Sequence, residues 1–185
     1  MLRVETSVRQ DFSELLSQLR SARRAAGLPQ RSLAARLDVS NTSLADWETG
    51  KDDPTMAHLI RWATELGFRL AIVDPRHSPA VSCVELEDDE SWEQHEMRRL
   101  AAALWTRRRS RKMSQTALAD RVGVGRISMQ RWESAQVFPR PIAFLAWAGA
   151  LECSVALHES DSDCATASAS PRVSLVHSEP AKSPR

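Results

Sequence analysis

The sequence predicts an all-α protein: two tandem copies of one short helical unit, each followed by a short β strand, and then a disordered C-terminal tail. Three observations predict it. The chain repeats itself, with Leu19–Val73 recurring as Leu104–His158, apolar residues inside each copy recur at helical spacing, and residues 160–185 are rich in Ser, Ala and Pro. With so few large apolar side chains, that tail cannot bury enough surface to offset its ordering entropy.

Aligning Leu19–Val73 with Leu104–His158 without a gap gives 16 identities in 55 positions, where about three arise by chance. The matched pairs include Arg23/Arg108, Gln30/Gln115, Leu33/Leu118, Ala34/Ala119, Trp47/Trp132, Glu48/Glu133, Pro54/Pro139 and Trp62/Trp147. In the first copy Leu33, Ala34 and Leu37, then Leu44 and Trp47, then Leu59, Trp62, Ala63 and Leu66 fall at i, i+3 or i+4. That spacing predicts three short helices in close succession. Pro29 suits the first turn of the first helix, where its missing amide costs nothing, and Ser114 caps the same helix in the second copy.

Between the first two helices lie "DVSNT" and, in the other copy, "GVGRI". Such a turn requires one residue at positive φ. Gly123 adopts it freely, while Asp38 tolerates it at a cost of ~1 kcal/mol. Ser40 then caps the second helix, where the other copy has the weaker Gly125. Each helix pair reads as a helix-turn-helix. Two β-like runs follow, "FRLAIVD" at Phe68–Asp74 and "CSVALHE" at Cys153–Glu159, with alternating Leu70, Ile72 and Val155, Leu157. A third candidate strand is "AVSCVEL" at Ala80–Leu86. Two pairings stay open, with one another or with a second chain.

The charge is distributed unevenly. The net charge of +1 divides into +1 for residues 1–80, −7 for 81–96, +7 for 97–159 and 0 for the tail. A basic stretch beside an acidic connector points to a polyanionic partner. The longest apolar stretch, Pro141–Leu151, is too short to span a bilayer, and the N-terminus lacks the apolar core of a secretory signal, so a cytoplasmic location is expected. Cys83, Cys153 and Cys164 lack metal-ligand or disulfide spacing, and the five His form no catalytic or metal pair. No enzyme, metal or cofactor is expected. Gly123-Val-Gly125 is a fragment of a dinucleotide fingerprint and belongs to the turn. All but three of the 25 basic residues are Arg, a usage expected of GC-rich bacterial or phage genomes.

The segments "LPQRSLAARLDVSNTSLADWETGKDDPTMAHLIRWATELGFRL" and "MSQTALADRVGVGRISMQRWESAQVFPRPIAFLAWAGALECSV" each resemble the lambda-repressor/Cro type of helix-turn-helix domain, the XRE type. The shared pattern is Gln opening the first helix, Leu-Ala inside it, a small residue at the turn, Ser near the start of the second helix, Trp-Glu near its end and Pro six residues beyond. The resemblance implies a first domain at 10–75, an acidic connector at 76–92, a second domain at 93–159 and a disordered tail at 160–185.

It also implies double-stranded DNA as partner, with the second helix of each pair entering the major groove. The implied DNA contacts are Gln30, Ser40, Asn41, Thr42 and Asp46 in the first copy. In the second they are Gln115, Arg126, Ile127, Gln130 and Arg131. Arg126 and Arg131 match guanine edges and Gln130 matches adenine. Arg107, Arg108, Arg109, Arg111 and Lys112 would neutralise phosphates. Asp46, Asp52 and Asp53 make the first copy the poorer reader. Trp47, Trp62, Trp132 and Trp147 fall on apolar faces and read as scaffold, and Glu48 and Glu133 as partners of Arg36 and Arg121.

The resulting expectation is a nucleoid-associated transcription regulator that represses by occupying a promoter. It acts as a homodimer or as an intramolecular pseudo-dimer with an asymmetric site. Two alternatives accompany it. One is an antitoxin-like adaptor that binds a protein through the connector or the tail's Val173–Val176. The other is self-inhibition, with Glu85–Glu90 covering the basic face.

Overall fold

Helix α1 spans Thr6–Ala25 and opens the described part of this computed structural model, which comprises residues 6–74, 84, 85 and 87–160. Phe12, Leu15, Leu16 and Leu19 recur at i, i+3, i+4 and i+7 along it and are all buried, so one apolar face binds it to the rest of the protein. Helix α2 (Gln30–Arg36) begins at Pro29. Asp38, at φ 56°, turns the chain into α3 (Asn41–Thr49). Ser40 caps α3 by accepting the Ser43 amide at 2.9 Å, which satisfies one of the orphan donors of the first turn. Helix α4 (Met56–Glu65) is capped by Thr55, and strand β1 (Phe68–Val73) closes the N-terminal half.

The C-terminal half runs through the same order. Helix α5 (Trp92–Ser110) is capped by Ser91, and α6 (Gln115–Val122) by Ser114, whose hydroxyl accepts the Ala117 amide at 3.1 Å. Helix α7 (Arg126–Glu133) starts at Gly125 without a side-chain cap. Helix α8 (Pro141–Ala150) carries Pro141 in its first turn, and β2 (Ser154–Glu159) follows. Pro141 to Ala148 are all buried, because α8 is apolar on every face and is covered both by α6 of its own half and by α1 of the other.

Backbone conformation ties the halves together. Positive φ occurs at Gly27 and Lys112, at Asp38 and Gly123, at Gly50 and Ala135, and at Gly67 and Glu152. The members of each pair occupy matched positions of the repeat, and each pair holds one glycine. The chain therefore makes the same four left-handed turns in both halves, and in one member of each pair a side chain tolerates a conformation that costs it about 1–2 kcal/mol.

Strands β1 and β2 pair antiparallel with each other, which resolves the two pairings left open by the sequence. The register runs from Phe68 opposite Glu159 to Val73 opposite Ser154. Ala71 faces Ala156, its own counterpart in the repeat, and Leu70–Leu157 mirrors Ile72–Val155. The ladder is thus two-fold symmetric about the alanine pair. Helices obey the same axis, with α1 against α8 on one side and α4 against α5 on the other.

Two expectations need correction. Each half has four helices where the spacing predicted three, because α1 and α5 precede the stretch in which the matched motif lies. The third candidate strand does not form over Val84 and Glu85; the remainder of Ala80–Leu86, and the tail beyond Ser160 with Val173–Val176, lie outside the described residues.

Candidate nucleic-acid interface

Each of the helix pairs α2–α3 and α6–α7 is locked from behind by one buried carboxylate. Glu48, near the end of α3, accepts from Arg23 Nε at 2.6 Å and from Arg23 Nη2 at 2.9 Å, while Gln30 Nε2 donates to its Oε2 at 3.0 Å. Arg23 Nη1 also donates to the Leu28 carbonyl at 2.8 Å. A carboxylate with 3 % side-chain exposure requires such saturation, since an unpaired buried charge is costly. The hydrogen bonds that Arg23 donates to Glu48 outweigh the effect of burial and push the Arg23 guanidinium pKa up, further into its charged form.

The same clamp stands at the matched position of the second half. Glu133 accepts from Arg108 Nε at 2.5 Å, from Arg108 Nη2 at 2.9 Å and from Gln115 Nε2 at 2.8 Å, and Arg108 Nη1 reaches the Met113 carbonyl at 2.7 Å. Glu48 and Glu133 were expected to pair with Arg36 and Arg121. The partners instead come from the ends of α1 and α5, which face the buried carboxylates, whereas Arg36 lies on the surface beside Glu65 at 3.5 Å.

This geometry sorts the expected contact residues. Asn41 and Thr42 are exposed at the first turn of α3. Ser40 is engaged as the cap. Asp46 is half-buried, with Lys51 Nζ at 3.9 Å. On α7, Arg126, Ile127, Gln130 and Arg131 are all exposed along one face, Ile127 to 65 %. A large apolar side chain that exposed has no role in the core. Gln30 and Gln115 each use one amide hydrogen on the clamp, so both sit at the first turn of their helices with a fixed orientation.

The five expected phosphate contacts divide differently. Arg108 is 6 % exposed and belongs to the clamp, which removes it from the set. Arg107 and Arg111 both donate to the Leu151 carbonyl, and Arg111 also pairs with Glu152; these two brace the turn between α8 and β2. Arg109, whose guanidinium lies 5.8 Å from the Trp105 ring centroid, and Lys112 remain exposed. Among the described residues of the acidic connector, Glu87 and Glu90 are both held by Arg98 on α5. Trp47, Trp62, Trp132 and Trp147 are buried, with matching centroid distances of 6.3 Å for Trp47–Trp62 and 6.1 Å for Trp132–Trp147.

Sequence reasoning missed the cross-axis residues Trp92, Glu93, Glu96 and Arg99. Their only signal was the charged, Trp-bearing start of α5. No helix among the described residues is long and apolar enough to cross a membrane, and no cluster of His, Cys, Asp and Glu among them suits a metal ion.

Comparison with known proteins agrees with this geometry over the N-terminal half. The Helix-turn-helix family matches residues 19–73, the stretch from the end of α1 to the end of β1. Domains of this family bind double-stranded DNA and often dimerise. No curated protein and no solved structure matches the chain. Residues 19–73 are a helix-turn-helix domain of the XRE type, and that domain points to a DNA-binding regulator.

Proposed function

We propose that the chain is a sequence-specific transcription regulator, a repressor acting by occupancy. In this reading residues 10–75 and 93–159 are two tandem helix-turn-helix domains held as an intramolecular pseudo-dimer. The observation that carries this reading is the two-fold register of β1 and β2 about Ala71 and Ala156, together with the clamp repeated at matched positions. A homodimeric reader places its recognition helices on successive major grooves, roughly 34 Å apart, by such an axis. Here α3 and α7 take those two places within one chain.

The two reading heads differ in chemistry. Arg126 and Arg131 donate in pairs to guanine O6 and N7, Gln130 to adenine, and Ile127 contacts a thymine methyl. Asn41, Thr42 and Asp46 offer a weaker set, with Asp46 suited to cytosine N4. The loops before α4 and α8 also meet, since Asp52–Ala57 and Phe138–Pro141 line a common cleft. Asp52 and Asp53 on that cleft repel phosphate, which weights binding towards the C-terminal half. The DNA site is therefore asymmetric.

The test is selection of bound sequences from a random duplex library at about 150 mM salt, with wild type and Arg126→Ala/Arg131→Ala. The expected result is an asymmetric motif of two half-sites, one of them erased in the variant. A palindromic optimum overturns the pseudo-dimer in favour of a homodimer with one reading head per chain; absence of enrichment overturns DNA reading itself.

A further inference from the structure

The axis builds one junction twice, once where α4 and β1 meet α5 and once where α8 and β2 meet α1. The first junction is filled by its own side chains. Trp92 Nε1 donates to Thr64 Oγ1 at 2.9 Å, and Arg61 Nε donates to Glu93 Oε1 at 2.7 Å. Arg69 binds Glu96 through both Nε and Nη2 and lies 5.4 Å over the Trp92 ring. Arg99 donates to Glu96 and to the Leu70 carbonyl.

At the second junction the counterparts in the repeat are small or reversed in charge. Ser7 stands where Trp92 does, Ala146 where Arg61 does, Gly149 where Thr64 does and Ser154 where Arg69 does. Glu14 takes the place of Arg99. One feature survives, the carboxylate, with Asp11 in the position of Glu96. The result is an open cleft of about 670 Å³ lined by these residues, with Arg121 on its rim.

We infer that this cleft binds a small organic cation in which a guanidinium or amidinium group adjoins a flat apolar body. At the filled junction, the carboxylate of this position holds a forked cation that rests on an indole. The cleft keeps the carboxylate and lacks both the fork and the ring. Asp11 and Glu14 have no ion-pair partner among the described residues, and Glu14 accepts only the Gln18 amide at 3.2 Å. The volume lies in the range of small-molecule sites, which favour boundaries between structural units. The inference rests on the packing of the two halves and is independent of which bases either half reads.

Benzamidine joins the two missing parts, an amidinium fork and an aromatic ring, and benzamide is its neutral twin. In an NMR titration of the full chain without DNA, benzamidine is expected to shift the amides of Gly149 and Ser154 saturably at roughly millimolar concentration, as suits a fragment of its size. Benzamide should leave them in place. Asp11→Asn/Glu14→Gln, both at exposed positions, should weaken benzamidine about tenfold or more by removing the charge-assisted hydrogen bonds. Ser7→Trp/Ser154→Arg copies the filled junction and should abolish the response while raising Tm. The proposal is overturned by no response to benzamidine, by an equal response to benzamide, or by an unchanged response in the carboxamide variant.

Discussion

The N-terminal and C-terminal halves share an interior and differ in their surfaces. Arg23, Glu48 and Gln30 reappear as Arg108, Glu133 and Gln115 with hydrogen bonds of nearly the same lengths, and the tryptophan pairs are tilted alike. The exposed face of α3, in contrast, carries Asn41, Thr42 and a Lys51-paired Asp46, whereas α7 carries Arg126, Ile127, Gln130 and Arg131. A buried ion clamp tolerates no partial change, since losing one member strands the other, while a solvated face changes at little energetic cost. The comparison separates what the fold requires from what the proposed recognition would use.

That separation breaks first at the clamps. Arg108→Ala leaves the buried Glu133 without a cation and should cost about 3–5 kcal/mol, read as a lower urea midpoint, whereas Arg23→Ala should cost less because Arg20 Nε stays 4.0 Å from Glu48 Oε2. If Arg23→Ala proves as costly as Arg108→Ala, Arg20 does not compensate at the first clamp. Next come the surfaces. Arg126→Ala and Arg131→Ala should each lose about 1–3 kcal/mol on the preferred duplex without altering the urea midpoint. Asn41→Ala/Thr42→Ala should lose less, by fluorescence anisotropy at the same salt.

Acid distinguishes the two junctions. Burial pushes the Glu96 carboxyl up, but the hydrogen bonds from Arg69 and Arg99 outweigh it and hold it below the usual carboxylate range. A depressed carboxylate contributes stability that is complete above its unfolded pKa and disappears as pH falls through the folded value. The Trp92 indole N–H, at the α4–α5 junction, should therefore stay fixed at neutral pH and move below about pH 4. Leu15 and Leu145, at the α1–α8 junction, where no arginine–carboxylate pair crosses the axis among the described residues, should show a smaller step. The smallest effect lies in the turns. Lys112→Gly, at φ 53° and exposed, should stabilise the protein by about 0.4–1 kcal/mol in thermal melts. Gly27→Lys should cost about 1 kcal/mol in return.

The turns, caps and inner tryptophans were legible in the sequence because each depends on close neighbours along the chain. Asp38 and Gly123 adopt positive φ, Ser40 and Ser114 cap their helices, and the strands begin within a residue or so of their apolar alternation. What escaped was set by distance along the chain. Arg23 lies two helices before Glu48, and nothing local distinguishes it from Arg36 as the partner. Arg108, read as one of five basic residues at a helix end, is the one whose position on α5 turns it inward. Helix α1 carried a legible stripe from Phe12 to Leu19, yet it lies mostly upstream of the matched stretch. The contrast between the two junctions depends on which residues meet across the axis, and only the pairing of β1 with β2 determines that.

In the proposed pseudo-dimer, that pairing would also shape a dose response. Separate subunits must find each other before they grip a two-part site, so their occupancy climbs with the square of concentration while monomers prevail. In a pseudo-dimer joined through β1 and β2 within one chain, the second head is delivered with the first, at the high effective concentration of a tether. Occupancy then rises in simple proportion to the number of chains, and promoter output would follow synthesis of this protein as a graded dial.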